Sequence, residues 1–429
     1  MFSHLALDAL FVLAVTLIWF MIAYQSLLFF LGHRYYRLTR RARPAPRADA
    51  EMPAISLLVP CHNEELVVEH SLRAFLALDY PANKLEILII NDGSTDRTGE
   101  LARPFEADPR VRVLEVPAPL AARGKAAALN FGLREARYPV LAVYDADNTP
   151  EPGALRPLAE HLVRDASLGA AVGLYRAVNR HRALLTRFLN IEGIGFQWIV
   201  QAGRWMLMRF VTLPGTNYVI RRSLVEELGG WDENALTEDA ELTLRVYQAG
   251  YRVQLVPASV SWEQEPETFR VWFRQRHRWV RGYNYLFRKY AGRLLRMRPR
   301  RVGFELLYSL SVYYIFFLAI VLSDLLFVLS AAGLIRIPVP GPYGLVWLLA
   351  YLSFVLQLVV ALACEREEDT GLNILLTLVM YFTYCQLWIP VVARAFWDDF
   401  IVRREARWAK TERYEVAGQP GSGTRQSQR

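Results

Sequence analysis

Four apolar runs divide the chain. Residues 9–31 form an uncharged stretch ending in SLLFFL, residues 343–364 and 372–393 form two more, and residues 306–335 form a fourth broken only by Asp324. Each is long enough to cross the ~30 Å hydrocarbon layer of a bilayer. Between the first run and the other three the pattern changes. AISLLVP, LEILIIND, VRVLEVP and PVLAVYDAD read as short strands, and LVVEHSLRAFLAL and GKAAALNFGLREA as helices. This β-α-β alternation, with strands apolar on both faces, predicts an α/β domain built on a mostly parallel sheet covered by helices. Such sheets hold their ligands beyond the carboxyl ends of the strands. The polar clusters CHNE, NDGSTD and DADN all fall at such ends. After Leu155 the pattern is less regular. Residues 184–210, apolar and aromatic with interspersed arginines, resemble an interfacial amphipathic helix more than a span.

The periodicity sets the expected organisation. A transmembrane helix occupies residues 1–32 and a basic linker 33–53. The α/β domain covers 54–265, a basic-aromatic segment 266–301, about three transmembrane helices 302–396, and a basic segment with a disordered tail 397–429. The first run is too long for a signal-peptide core and reads as a retained anchor. Residues 33–47 carry six arginines and no acid, and residues 288–301 carry seven basic residues and no acid. By the positive-inside rule both ends of the middle domain are cytoplasmic. The net charge of +8 in 429 residues is explained largely by these flanks, so no nucleic-acid partner is expected. Cys61, Cys364 and Cys385 show no metal-ligand spacing and no disulfide framework.

Several motifs could carry chemistry, and each has a bland alternative. Asp145 and Asp147 of DAD, two apart on a strand, face the same way and could share a cation, or could cap a solvated turn. Asp92 in NDGSTD could accept hydrogen bonds from a base or ribose, or serve plain turn chemistry. Glu64 in HNE is similarly open. Lys125 at a helix start suits a phosphate, though Gly-Lys is common there. Glu238, Asp239 and Glu241 of TEDAE suit a helix dipole, or one of them is a general base. In RVWFRQRHRWVRGYNYLFRKY, Gln275, Arg278 and Trp279 share a helical face. That face suits a sugar pyrophosphate, with Arg pairing to phosphate and Trp stacking on a pyranose ring, or the whole helix lies on anionic lipid.

VPCHNEE, NDGSTD, GK, DAD, TED and QxxRW, in this order over roughly residues 55–281, resemble the family-2 glycosyltransferases. They resemble in particular the membrane-integrated processive synthases of cellulose, chitin, hyaluronan and poly-N-acetylglucosamine. The resemblance implies a Rossmann-like GT-A fold and a UDP-sugar donor. It implies that Glu64 lies on the donor side, that Asp92 contacts uridine, and that Lys125 lies near the diphosphate. It also implies that Asp145 contacts the nucleotide and that Asp147 holds Mg²⁺ or Mn²⁺ on the diphosphate. Asp239 would be the general base that deprotonates the acceptor hydroxyl, inverting an α-linked donor to a β-linkage. Glu238, Gln275, Arg278 and Trp279 would line the acceptor and diphosphate end. PGTN (residues 214–217) occupies the place of a family loop near the acceptor, and WAKTER (residues 408–413) resembles a C-terminal cytoplasmic segment of several bacterial synthases. The chain shows no cyclic-nucleotide-binding domain like that of bacterial cellulose synthases, so activation by such a ligand is not expected.

The expectation is therefore a multi-pass enzyme of the cell (inner or plasma) membrane with a cytoplasmic catalytic domain. It would transfer sugar from a UDP-sugar, first N-acetylglucosamine and then glucose, to a growing β-linked polysaccharide that it extrudes. The rival readings are a non-processive glycosyltransferase acting on a membrane lipid, and a non-catalytic protein that binds nucleic acid or anionic lipid. Accessory subunits are left open.

Overall fold

The computed structural model describes residues 2–41, 47–335, 341–404 and 412–414. Residues 42–46 of the expected linker, the start of WAKTER and the tail after residue 414 lie outside the described residues.

The first three expected strands form where the apolar runs predict them: β1 (Ile55–Cys61), β2 (Leu85–Asn91) and β3 (Val111–Glu115). Every residue of β2 and all but Pro60 of β1 are buried. β4 (Val140–Val143) is short and wholly buried. Less regular sequence then supplies β5 (Thr149–Pro150), β6 (Leu168–Ala177), β7 (Tyr218–Arg221) and β8 (Arg252–Glu263). The sheet order is β3-β2-β1-β4-β7-β6-β8-β5. β3, β2, β1 and β4 run parallel, as do β6 and β8, whereas β7 is antiparallel to both β4 and β6 and β5 is antiparallel to β8.

The sheet is thus mixed, on a GT-A-like plan: six strands run in one direction, and β5 and β7 run against them. The reason is local. β4 runs toward the polar end of the sheet, and the PGTN loop sits at that same end. A strand leaving that loop must run back, and the register Val143↔Tyr218 records it. This reversal sets DAD, just after β4, beside PGTN, just before β7. The Asp145 N–H donates to Thr216 Oγ1 at 3.2 Å, and the Tyr144 hydroxyl donates to Asn217 Oδ1 at 2.9 Å.

The N-terminal run forms one helix, Phe2–Arg41, that continues well into the stretch expected to be linker. Residues 184–208 form an α-helix, a π-helical turn and a second α-helix. Rather than lying free, this stretch is wedged against the N-terminal helix, and Phe188, Ile191, Trp198 and Trp205 are buried. Gly203 permits the approach: a Cβ there would collide with the backbone of Leu28. Segments Asp8–Arg41, Arg300–Ser330 and Tyr343–Leu362 are long and apolar enough to cross a membrane. The last apolar run is instead a pair, Gly371–Met380 and Cys385–Ile401, bent by 44°. Exposed large apolar side chains concentrate on these helices, among them Phe20, Phe30, Leu318, Leu325, Leu349 and Leu356. That surface suits lipid. Ion pairs tie the apolar helical region to the rest of the chain: Arg204–Glu305 and Arg281–Asp399, each at 2.8 Å with all four side chains at most about one-tenth exposed, and Arg180–Glu368 at 2.8 Å.

Candidate active site

The strand ends converge on a cavity of about 100 Å³ lined by His62, Glu64, Asp92, Lys125, Asp145, Arg278 and Arg413, among others. The parallel ladder explains the first part. Cys61 and Asn91 are in register on β1 and β2, so the HNE and DGS segments leave the sheet side by side. His62 Nδ1 lies 2.7 Å from the Asp92 carbonyl oxygen. The Asp92 carboxylate accepts the Ala122 N–H at 2.7 Å and the Gly124 N–H at 3.4 Å. Burial raises the Asp92 pKa, and those two N–H groups oppose the rise.

Lys125 opens the helix Lys125–Glu135. Its Nζ lies 2.5 Å from Asp145 Oδ1 and 3.5 Å from Glu238 Oε1, and it donates to the Gly215 carbonyl at 2.8 Å. Burial works against the lysine's charge, but Asp145 and Glu238 hold its pKa above the ordinary value. Gly215 has φ +84°, and a Cβ there would sit 3.2 Å from both Lys125 Nζ and Asp239 Oδ2, so PGTN lines the gap between the two. Asp239 stands at the start of the helix Glu238–Gln248. Burial first, then the neighbouring Glu238, push its carboxyl up to about 7, with Lys125 opposing. A carboxylate poised there suits proton abstraction near neutral pH.

Asp147 is buried, and burial raises its pKa against the pull of Arg413. Arg413 Nη1 lies 2.8 Å from Asp147 Oδ2, and its Nε lies 3.8 Å from Glu64 Oε2. The adjoining Tyr414 exchanges backbone hydrogen bonds with the Gln264 side chain at 2.8 and 2.9 Å. Among the described residues no group of three or more His, Cys, Asp or Glu could hold a metal ion. Mg²⁺ and Mn²⁺ sites that borrow oxygens from a substrate phosphate need only one or two carboxylates, and Asp147 fits that donor set.

The helix Phe269–Tyr290 delivers Arg278 to the cavity, where burial lowers its pKa and Glu238 opposes the shift. Gln275 and Trp279 do not line the cavity. They lie next to Arg276, whose Nη1 donates to Gln275 Oε1 at 2.9 Å and whose guanidinium carbon stands 3.9 Å from the Trp279 ring centroid. Sequence reasoning therefore brought together Glu64, Asp92, Lys125, Asp145, Asp147, Glu238, Asp239 and Arg278. It missed Arg413 and Arg276. Arg413 lay inside a segment noted for its basic charge and its likeness to other synthases, with no role in the site assigned to it. Arg276 lay inside QRHRW at the position the motif leaves unspecified.

A mixed sheet with acidic strand ends, joined to apolar spanning-length helices, defines a class. The chain matches the family described as Glycosyltransferase like family 2 over residues 53–282. It belongs to that family and is a glycosyltransferase. Among particular relatives, it is 41% identical over 412 residues to the probable glycosyltransferase YdaM of Bacillus subtilis, covering 95% of this chain and 98% of the relative. It is 31% identical over 265 residues to the poly-beta-1,6-N-acetyl-D-glucosamine synthase of Staphylococcus aureus, covering 60% of this chain and 63% of that protein. The mannosyltransferase PcManGT of Pyrobaculum calidifontis, solved with GDP-Man and Mn²⁺, shares the fold. Its TM-score is 0.61 at 22% identity, covering 91% of this chain and 99% of that one.

Proposed function

We propose that this glycosyltransferase is an inverting, processive UDP-sugar polymerase. It extends a β-linked polysaccharide from a cytoplasmic catalytic domain and extrudes the product through its membrane helices. The observation that carries the chemistry is the grouping of Lys125, Asp145, Glu238 and Asp239 around Gly215, with the Asp239 carboxyl pushed up to about 7. The leading donor is UDP-N-acetylglucosamine, supported by the likeness to the staphylococcal poly-beta-1,6-N-acetyl-D-glucosamine synthase, and UDP-glucose follows.

In this reading Asp92 accepts hydrogen bonds from the uridine, and Asp145 contacts the nucleotide. Glu64 lies on the donor side. Lys125, Arg278 and Arg413 bring positive charge to the diphosphate, where charge develops as UDP departs. Mg²⁺ or Mn²⁺ held by Asp147, when bound, supplies further positive charge on the diphosphate. Asp239 takes the proton from the acceptor hydroxyl, which attacks the anomeric carbon as the bond to the β-phosphate oxygen breaks. Glu238 keeps Lys125 oriented and raises the basicity of Asp239. Gln275 and Trp279 receive the acceptor, Trp279 as the platform under its terminal sugar.

The test is UDP release by the purified full-length protein in lipid nanodiscs across a panel of UDP-sugars, with GDP-mannose as a further donor and Mg²⁺ or Mn²⁺ present. Product sizing follows. A polymer made from one UDP-sugar is expected. A mono- or diglycosyl lipid as sole product sinks the polymerase claim in favour of a lipid acceptor, and turnover of GDP-mannose alone sinks the donor claim.

A further inference from the structure

The motif QxxRW leaves its second position open, and this chain places Arg276 there. Arg276 is only 2% exposed, although it carries a full charge. A buried guanidinium is costly unless its charge and hydrogen bonds are met. Here the charge and the two terminal nitrogens are met, while Nε has no hydrogen-bond partner among the described residues. Nη2 donates to Glu192 Oε2 at 2.6 Å, and Nη1 to Gln275 Oε1 at 2.9 Å. The guanidinium carbon lies over the Trp279 ring, 3.9 Å from its centroid, from one helical turn away. Glu192 comes from the helix Leu184–Gly195, which packs against the helices Tyr343–Leu362 and Gly371–Met380. The same Glu192 Oε2 accepts the Tyr384 hydroxyl at 2.9 Å, and the Tyr384 oxygen accepts Trp272 Nε1 at 3.2 Å. Tyr384 sits between the two halves of the bent pair Gly371–Met380 and Cys385–Ile401.

We propose that Arg276 is a positioning residue for the acceptor. Clamped by Glu192 and Tyr384, it covers one face of Trp279, fixes the tilt of the indole and leaves the other face for the terminal sugar. The clamp joins the acceptor platform to the bent apolar pair, so the platform's angle is set by the part of the molecule that seats in the membrane. The inference rests on the reading of Trp279 as the acceptor platform. Lysine cannot substitute: it keeps the charge toward Glu192 but has no plane to lay on the indole.

The experiment uses full-length protein in nanodiscs with the UDP-sugar that the wild type turns over fastest. Three quantities are measured for Arg276→Met, Arg276→Lys, Glu192→Gln and Trp279→Ala: UDP affinity, donor hydrolysis to free sugar, and the fraction of consumed donor transferred to acceptor. Small misplacements of a reacting group cost rate steeply. Arg276→Met and Arg276→Lys are both expected to lower the transferred fraction by about tenfold or more, with UDP affinity and hydrolysis within about twofold of wild type. Glu192→Gln, which keeps the side chain's size but not its charge, is expected to fall between and covers the case in which an Arg276 variant does not fold. Normal transfer in Arg276→Met, full rescue by Arg276→Lys, or a parallel loss of UDP affinity overturns the proposal. If Trp279→Ala loses transfer while Arg276→Met keeps it, this inference alone falls. If Trp279→Ala transfers normally, the platform reading falls and takes the inference with it.

Discussion

The ionisation of Asp239 offers the sharpest test of the proposed chemistry. Burial and Glu238 push its carboxyl up from 3.8 to about 7, and Lys125 pulls the other way. A general base works only when deprotonated, so kcat/KM, which reports the free enzyme, must fall on the acid side of that value. Between pH 8 and pH 6 the ionised fraction drops from about nine-tenths to about one-tenth, and the rate falls by about ten for each further unit. The direction of two perturbations follows from the charges beside it. Glu238→Gln removes a like charge, so the acid limb moves to lower pH. Lys125→Met removes the opposing charge, so the limb moves to higher pH. Both variants will be slower, but the midpoint of the limb is independent of the maximal rate. Asp239→Asn is expected to cost about 10²–10⁴ in rate and to abolish the limb. The assay is initial-rate UDP release from pH 5 to pH 9, with melting temperature followed to confirm folding. An Asp239→Asn protein with near wild-type rate, or a limb that Glu238→Gln and Lys125→Met leave in place, refutes the assignment.

Other expectations concern the elements around that carboxylate. Arg413→Ala leaves the buried Asp147 without its close cation and removes a positive charge from the cavity, so UDP affinity measured by calorimetry should fall by about tenfold or more. Trp279→Ala should abolish sugar transfer, whereas Arg288→Ala, lower on the same helix and donating to the Asp399 carbonyl at 3.3 Å, should mostly spare it in the product-sizing assay. Gly203→Val drives a side chain into the Leu28 backbone and should destabilise the protein by about 1–3 kcal/mol, read as a lowered melting temperature.

Much of the site was legible because strand ends are legible. An apolar run that stops at a polar cluster announces both the strand and the place where a ligand meets it, and Asp92 and Asp145 followed from that rule alone. Their roles did not: the carboxylates of DAD and TED have ordinary turn and helix-dipole explanations, and only their order along the chain tied them to a known enzyme family. Helical spacing put Gln275, Arg278 and Trp279 on one face, yet the fold sends Arg278 into the cavity and leaves Trp279 against Arg276. A shared face fixes a direction, and the neighbouring elements decide what stands there.

The sequence by itself determined the apolar runs, the α/β alternation and the acidic strand ends, because each is a short-range pattern of residues a few positions apart. Tertiary structure alone decided the rest. It reversed β7, so that PGTN meets DAD across the register Val143↔Tyr218. It brought Arg413 to Asp147 from 266 positions away in the numbering (413 minus 147) and Glu192 to Arg276 from 84. It also bent the last apolar run, which hydropathy showed only as long enough to cross, by 44°. Charge pairs and strand directions of this kind depend on how distant segments pack, and no local pattern records that.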